Sequence, residues 1–408
     1  MALERVSTVV AGGLATSAGS QSIVLALNSG SSSLKFGLYR VSGSRTEELL
    51  SGAAEAIGEA NGQFHARDSQ GSIPTCNTAS VSSQQDAVIR IGSLLDDSRL
   101  PAPVAIGHRV VHGGPKLRQH CLIDEPVMQQ LEYAASFAPL HAPSALSVIR
   151  FAQQHFAGLP QVACFDTTFH AAMPDVARVL PIPRDLQSLG IQRYGFHGLS
   201  CESIVHQLAS ALPERLIIAH LGNGASVTAV RNGKSIDTSM GLTPSGGVIM
   251  GSRSGDLDPG VLIHLMREQK FDAAKLEDLI DHRSGLTGIS GVGSDMRRLH
   301  DAASSNPDAR LAIDMFCYSI RKQIAAMMAA LGGVDVVVFT GGIGENDGKI
   351  RASICAGLSW AGVSLNANEN GAKYRPVCNS PVVQVLVLPS QEDDQIARHT
   401  SILAGLAT

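Results

Sequence analysis

Residues 23–39 read IVLALNSGSSSLKFGLY, and residues 216–230 read LIIAHLGNGASVTAV. Each is an apolar β-branched run, a turn of Gly, Asn and Ser, and a second alternating run. That is the pattern of a strand, a tight turn and a returning strand. Turns built from such small residues leave backbone N–H groups unobstructed, and such groups can wrap a phosphate. Two of them, about half the chain apart, point to two related domains facing one polyphosphate.

The remaining sequence sets limits on that reading. At 408 residues the chain is long enough for two or three domains. Apolar residues make up 44% and charged residues 17%, an ordinary globular balance. The net charge of −4 attracts neither nucleic acid nor an anionic membrane, and no basic patch is interleaved with aromatics. No apolar run reaches the roughly 18 residues that span a bilayer. The seven cysteines are scattered, odd in number and without a CxxC pair, so free thiols in a reducing, cytoplasmic compartment are expected. Residues 1–21 have a charge-neutral start and an apolar run broken by Gly12-Gly13, which fits a flexible N-terminal extension better than a signal peptide.

Strands are expected at 22–28, 34–41, 103–111, 161–166, 215–221, 225–231, 334–340 and 382–388. Helical periods fit 84–96, 125–137, 144–156, 200–211, 260–270, 273–282, 308–331 and 393–405. Arg231-Asn-Gly-Lys234 is a two-residue hairpin turn. Residues 60–83 read as a polar loop. Strand-rich blocks alternating with helices give an α/β fold.

Several loops carry chemistry. Asn28–Lys35 joins a flexible backbone, hydroxyls and a cation, but lacks the P-loop spacing. A ligand-free hairpin is its competing reading. Gly107–Gly114 places Arg109 at a strand's C-terminal end, where α/β sheets hold ligands. His108 and His112, in β-branched surroundings, read as structural rather than zinc-binding. Asp166 ends another strand and is either a Mg²⁺ ligand or a helix N-cap. His197 lies between small residues before a helix, and Arg253 sits in a Gly/Ser loop that cannot pack as core. Asp295 and Arg297 occupy a further loop. Val336–Asn346 runs into glycines without the full GxGxxG register, and Gln391–Asp394 is an acidic start to the last helix. Cations beside carboxylates suit phosphoryl transfer, and the missing G-x-S-x-G elbow disfavours a serine hydrolase.

Taken in order, NSGSSSLKFGLY, GHRVVHGG, FDTTFH, RYGFHG, HLGNGAS, MGSRSGDLDPG, FTGGIGEN and the late acidic turn resemble the acetate kinase family, from about residue 23 to the C-terminus. The resemblance implies two RNase-H-like, actin-like ATPase domains with a nucleotide cleft between them. Residues 22–170 with 393–408 form one, and 171–392 the other. It implies reversible phosphoryl transfer from ATP to acetate, with ATP/ADP as substrate, Mg²⁺ or Mn²⁺ as cofactor, and a homodimer.

By the same resemblance, Arg109, Asp166, His197 and Arg253 are catalytic, with support from His141 and His220. Arg109, Val111, Leu140, Phe196 and Pro244 bind the acyl substrate. Asn28, Asp166 and Glu392 hold the metal. Ser31 and Ser33 belong to the first phosphate loop. Lys35, His220, Asn223, Gly224, Asp295, Met296, Arg297, Gly342, Ile343, Gly344 and Asn346 hold ATP. The chain departs from the family pattern at Ser245-Gly246-Gly247 after Pro244, at Met296 and at Asp393. A propionate or butyrate kinase of the same family, or a non-catalytic actin-like ATP-binding module, are the alternatives.

Overall fold

The computed structural model describes residues 21–30, 32–43, 45–69, 80–97, 99–137, 142–365, 370 and 383–406. Among the described residues, twelve strands form two sheets: β1 (Ser22–Ser29), β2 (Leu34–Ser42), β3 (Arg45–Glu55), β4 (Gln63–Asp68), β5 (Ala105–Val110), β6 (Cys121–Leu122), β7 (Gln161–Phe165), β8 (Arg215–Leu221), β9 (Ala225–Arg231), β10 (Lys234–Thr238), β11 (Val336–Thr340) and β12 (Gln384–Val387).

The first sheet runs β4-β3-β2-β1-β5-β7-β6, and the second β10-β9-β8-β11-β12. Within each, the opening hairpin pairs antiparallel and its first strand then pairs parallel with a later one: β1 with β5, β8 with β11. The order β3-β2-β1-β5-β7 in one sheet is repeated as β10-β9-β8-β11-β12 in the other. The duplication read from the two glycine hairpins is therefore a duplication of the whole sheet core.

Helices cover the sheets. Pro307–Leu331, capped by the Asn306 side chain, lies against β8, β9 and β10. Its buried Phe316, Ile320, Ile324 and Met327 join the largest apolar cluster. The terminal helix Glu392–Leu403 instead crosses the first sheet at β1, β2, β5 and β7. That crossing demands a glycine at position 107, because a Cβ there would stand 2.2 Å from Thr400 Oγ1 and 2.5 Å from Ile396 Cγ2. The helix Gly198–Leu208 touches both halves: Leu199 packs beside Val24 and Ile396, and Ile204 beside Leu216 and Val338. The polypeptide that starts at His197 thus runs between the sheets.

The expected hairpin at Asn232-Gly233 is present, with φ of 49° and 77° in the left-handed region that a two-residue I′ turn requires. The polar stretch 60–83 needs correction. It contains β4, whose Phe64 and Ala66 face inward while Gln63 and Arg67 face out. Residues 70–79 lie outside the described set, as do residues 1–20. β3 also lacked a continuous apolar run, because its buried residues come as two separated pairs, Leu49-Leu50 and Ala53-Ala54, after an exposed polar start. The five described cysteines are free.

Candidate active site

The C-terminal ends of β1, β5 and β7 and the turns of the second half open onto one cleft of about 790 Å³. Asn28, Lys35, Arg109, Val111, Asp166, Phe196, His197, His220, Asn223, Gly224, Pro244, Arg253, Gly342 and Glu392 all line it. Residues from eight separate motifs are therefore brought to one wall-to-wall site.

Parallel pairing sets Arg109 beside Asp166. Arg109 faces Cys164 in register, so Asp166 lies just past the end of β7. Arg109 Nη2 and Nε donate to Asp166 Oδ2 at 2.6 and 3.0 Å, and Nη1 donates to Asn28 Oδ1 at 3.2 Å. The Asn28 amide then donates to Glu392 Oε2 at 3.1 Å and Asp393 Oδ1 at 3.0 Å. One hydrogen-bonded line joins the ends of three strands to the start of the terminal helix.

The charges are balanced unevenly. Burial opposes the Arg109 cation, but Asp166 and Glu392 more than offset it and raise its pKa. Burial raises Asp166, against the pull of Arg109. Burial alone would raise Glu392 as well, yet Arg109, His220, Asn28 and Lys35 hold it below the usual range. Asp393 is pushed up to about 6 by burial and by its neighbour Glu392, with Asn28 opposing. A helix N-cap role for Asp166 is not seen: the short helix Thr168–His170 follows Thr167.

His197 is placed by three constraints. Its φ of 57° is left-handed, a strained setting for a non-glycine residue at the start of a helix. Gly198 N donates to Asp166 O at 2.9 Å, an approach that a Cβ 2.2 Å from that oxygen would forbid. The buried His170 ring contacts the Phe196 carbonyl at 2.9 Å and Ser235 Oγ at 2.8 Å. His197 Nδ1 then lies 3.0 Å from Ser226 Oγ, and its ring stacks 4.2 Å from that of His220. Burial first, then His220, Arg109 and Arg253, depress His197 far below its ordinary value. His220 is also lowered, chiefly by burial. Both rings are neutral donors or acceptors near pH 7.

Arg253 comes from the loop after Met250. Its Nη1 donates to Pro244 O at 3.2 Å. Burial lowers its pKa, Asp281 counteracts this, and Arg109 adds to the lowering. Ser245, at the departure from the family pattern, donates its hydroxyl to Asp281 Oδ1, and Asp281 is buried. Two cations that raise each other's cost converge with two neutral histidines, an arrangement suited to a polyanion. Gly224 lies beneath them: a Cβ there would sit 3.2 Å from His197 Nε2 and 3.4 Å from Arg253 Nη1.

The carboxylates suit a hard divalent cation. Asp166 Oδ1 is buried without a partner among the described residues, and Glu392 stands across Asn28 from it. Oxygen-only donors of this kind fit Mg²⁺.

The whole-chain comparison agrees with this geometry. The acetokinase family model matches residues 23–398. The chain belongs to the acetokinase family. Relatives include the acetate kinase of Nitrobacter hamburgensis, 41% identical over 92% of this chain and 95% of that one. Another is acetate kinase 2 of Neisseria meningitidis serogroup B, 41% identical over 95% of this chain and all of that one. Among solved structures, a propionate kinase from Francisella tularensis superposes with a TM-score of 0.87 at 36% identity, covering 94% of this chain and 100% of its own. Porphyromonas gingivalis acetate kinase follows the chain with a TM-score of 0.82 at 36% identity, over 94% and 99%. The two-domain, actin-like architecture is that of these enzymes.

Other expected residues of this acetokinase-family chain lie off the cleft wall. Asp295 caps the helix Met296–Ala302 and pairs with Arg297 at 2.8 Å, and the Arg297 side chain is 90% exposed. Met296 packs into the core of the second half with Leu299. Ile343 packs against the same core, Gly344 O accepts from Arg351 at 2.8 Å, and Asn346 donates to Gly342 O at 2.8 Å. Leu140, His141 and Ser31 lie outside the described residues. His108, bonded to Gln161 at 2.7 Å, and His112, set among Phe137, Tyr194 and Phe196, are buried structural rings.

The cleft also includes residues that sequence reading passed over: Tyr39, Glu48, Glu345 and Ser390. Glu345 lies inside FTGGIGEN, whose glycines are its more conspicuous residues. Ser390 carried no motif.

Proposed function

We propose that the protein is an acetate kinase, transferring the γ-phosphoryl group of ATP reversibly to acetate to give acetyl phosphate and ADP. The observation that carries this reading is the convergence of Arg109, Arg253 and neutral His197 over Gly224, beside the apolar Val111, Phe196 and Pro244. A carboxylate is ionised at pH 7 and needs no general base, so catalysis is positioning and charge. The acid's oxygens face Arg109, and its methyl enters the space between Val111, Phe196 and Pro244. Arg253 and His197 then meet the oxygens of the phosphoryl group in flight, where charge is spread over three oxygens. Asn223, Gly224, Gly342 and Lys35 hold the triphosphate chain, with Asp295, Arg297 and Asn346 toward the nucleoside.

Asp166 and Glu392, oriented through Asn28, hold Mg²⁺; the bound ion neutralises phosphate charge. Closing the halves about the cleft excludes water, which otherwise competes for the phosphoryl group.

Residues 22–170 with 393–408 are assigned to one domain and 171–392 to the other, since the terminal helix lies on the first sheet. A second copy covers the helix Pro259–Glu268, which buries no residue and leaves Ile263 and Met266 about half exposed. No helix among the described residues is long and apolar enough to cross a membrane, and a cytoplasmic location fits the free thiols.

ADP release measured over formate, acetate, propionate and butyrate tests the reading. Acetate giving the highest kcat/KM supports it. A propionate maximum transfers the assignment to propionate kinase, and turnover with no acid leaves an ATP-binding module.

A further inference from the structure

We propose that Glu345 is a positioning residue, a clasp that fixes the start of the short helix Gly341–Asn346 to the segment carrying Glu392. This rests on the reading of the cleft as a Mg·nucleotide site and extends it to a residue that does not itself touch the reacting atoms.

The geometry is a single carboxylate oxygen shared by two backbone amides. Glu345 Oε1 accepts from Gly341 N at 3.0 Å and from Ser390 N at 3.0 Å. Gly341 opens the short helix Gly341–Asn346 on the cleft wall, with φ of 79°. Ser390 precedes the terminal helix, and its hydroxyl lies 3.4 Å from Glu392 Oε1 and 3.0 Å from Ser200 Oγ. Ser200 Oγ in turn lies 2.8 Å from His220 Nδ1. A donor from Ser200 to Nδ1 leaves the His220 proton on Nε2, the atom that stands 3.1 Å from where a Cβ of Gly341 would be.

The segment around Ser390 is also laced to the helix Gly198–Leu208. Gln207 donates to Pro389 O at 2.9 Å, and Gln391 N donates to Ser203 Oγ at 3.2 Å. Those bonds hold it to the helix behind the site. Glu345 adds the tie to the short helix on the cleft wall. A carbonyl-type oxygen has two lone pairs, so one oxygen suffices to accept an amide from each of the two segments. The start of that helix and the carboxylate that holds the cation thereby move as one unit when the halves close.

The test is equilibrium binding of Mg·ADP by calorimetry, with Mn·ADP by electron paramagnetic resonance as a second probe, on wild type, Glu345→Ala, Glu345→Gln and Ser390→Ala. Outer-shell ligands typically contribute 10–100-fold in metal affinity, so Glu345→Ala is expected to weaken Mg·ADP by about tenfold or more. Glu345→Gln keeps an oxygen that accepts both amides and should stay within about twofold of wild type. Ser390→Ala, which keeps its N–H and loses the hydroxyl facing Glu392, should weaken binding in the same direction as Glu345→Ala. Wild-type affinity in Glu345→Ala overturns the clasp. So does a Gln variant as weak as Ala, because the charge would then act on the cation directly. If the Ala variant does not fold, Gln and Ser390→Ala decide, since wild-type binding in Ser390→Ala together with weak binding in Gln contradicts the proposal. Because ADP binding needs no acetate, an enzyme that binds Mg·ADP but phosphorylates no acid refutes the acetate reading and leaves this one standing.

Discussion

Arg109 and Asp166 stand at the ends of neighbouring parallel strands, with Arg109 Nη2 2.6 Å from Asp166 Oδ2 and the Asp166 side chain only 1% exposed. Each holds the other in place, and each also faces the cleft. Removing one partner of a buried pair typically costs about 3–5 kcal/mol, because a charge is left uncompensated. Arg109→Ala should therefore lose stability of that order as well as activity. The double variant Arg109→Ala/Asp166→Asn should regain part of the stability and none of the activity. Urea unfolding together with steady-state kinetics checks this; equal stability of single and double variants would contradict it.

Arg253 makes a second, independent prediction. Arginines at a transferring phosphoryl group contribute about 10³-fold or more to kcat, and Arg253→Ala should lose that much. Gly224→Ala probes the same point without removing a functional group, since its methyl would press on His197 Nε2 and Arg253 Nη1. The contact asks His197 to give by a few tenths of an ångström; a full 1 Å displacement costs about 10²-fold, so a smaller loss should appear in kcat, with a melting temperature near that of wild type. Near-wild-type kcat in Arg253→Ala removes its role.

Val111 is a probe of substrate choice. Val111→Ala should enlarge the apolar space and shift preference toward propionate and butyrate, by at most about 1–3 kcal/mol per methylene. An unchanged ratio of kcat/KM values for acetate and propionate would show that Val111 does not contact the acid.

Much of this was legible in the sequence because it is local. The strand-turn-strand pattern is written in consecutive residues, and the glycine turns gave both hairpins and the repeat. Arg253 announced itself by sitting among small residues, where no core packing explains an arginine, and Arg109 by its place at the C-terminal end of a strand. What was illegible depends on partners distant in the chain. Gly107 looks like any strand glycine until Thr400 crosses it. Glu345 acts through Ser390, which no local pattern marks. β4 was hidden because its alternation covers only Phe64 and Ala66. The loop reading of Asp295 missed that it caps a helix, since Asp before Met-Arg-Arg carries no apolar period.

Acid should destabilise the protein through its buried rings. Burial holds His108, His112 and His170 at about 4 in place of 6.5. Between those values the unfolded chain binds protons that the folded chain does not, so stability falls as pH falls. Each ring contributes up to about 1.4 kcal/mol per pH unit within that window. Asp393, raised to about 6, works in the opposite sense together with Asp166 and Asp237, which burial also raises, while His120, His197 and His220 are lowered as well and add to the loss. Melting temperature followed from pH 7 to pH 4 should drop steeply, and His108→Gln should flatten the slope by about one proton. A flat profile would contradict the neutral buried rings.

The central claim is that a carboxylate oxygen attacks the γ-phosphorus in this cleft. Acetate labelled with ¹⁸O in both carboxylate oxygens, incubated with ATP, Mg²⁺ and the protein, tests it by ³¹P NMR. The account predicts acetyl phosphate whose phosphorus carries ¹⁸O in the bridging position. ADP with unlabelled inorganic phosphate, and no labelled acyl phosphate, would contradict it.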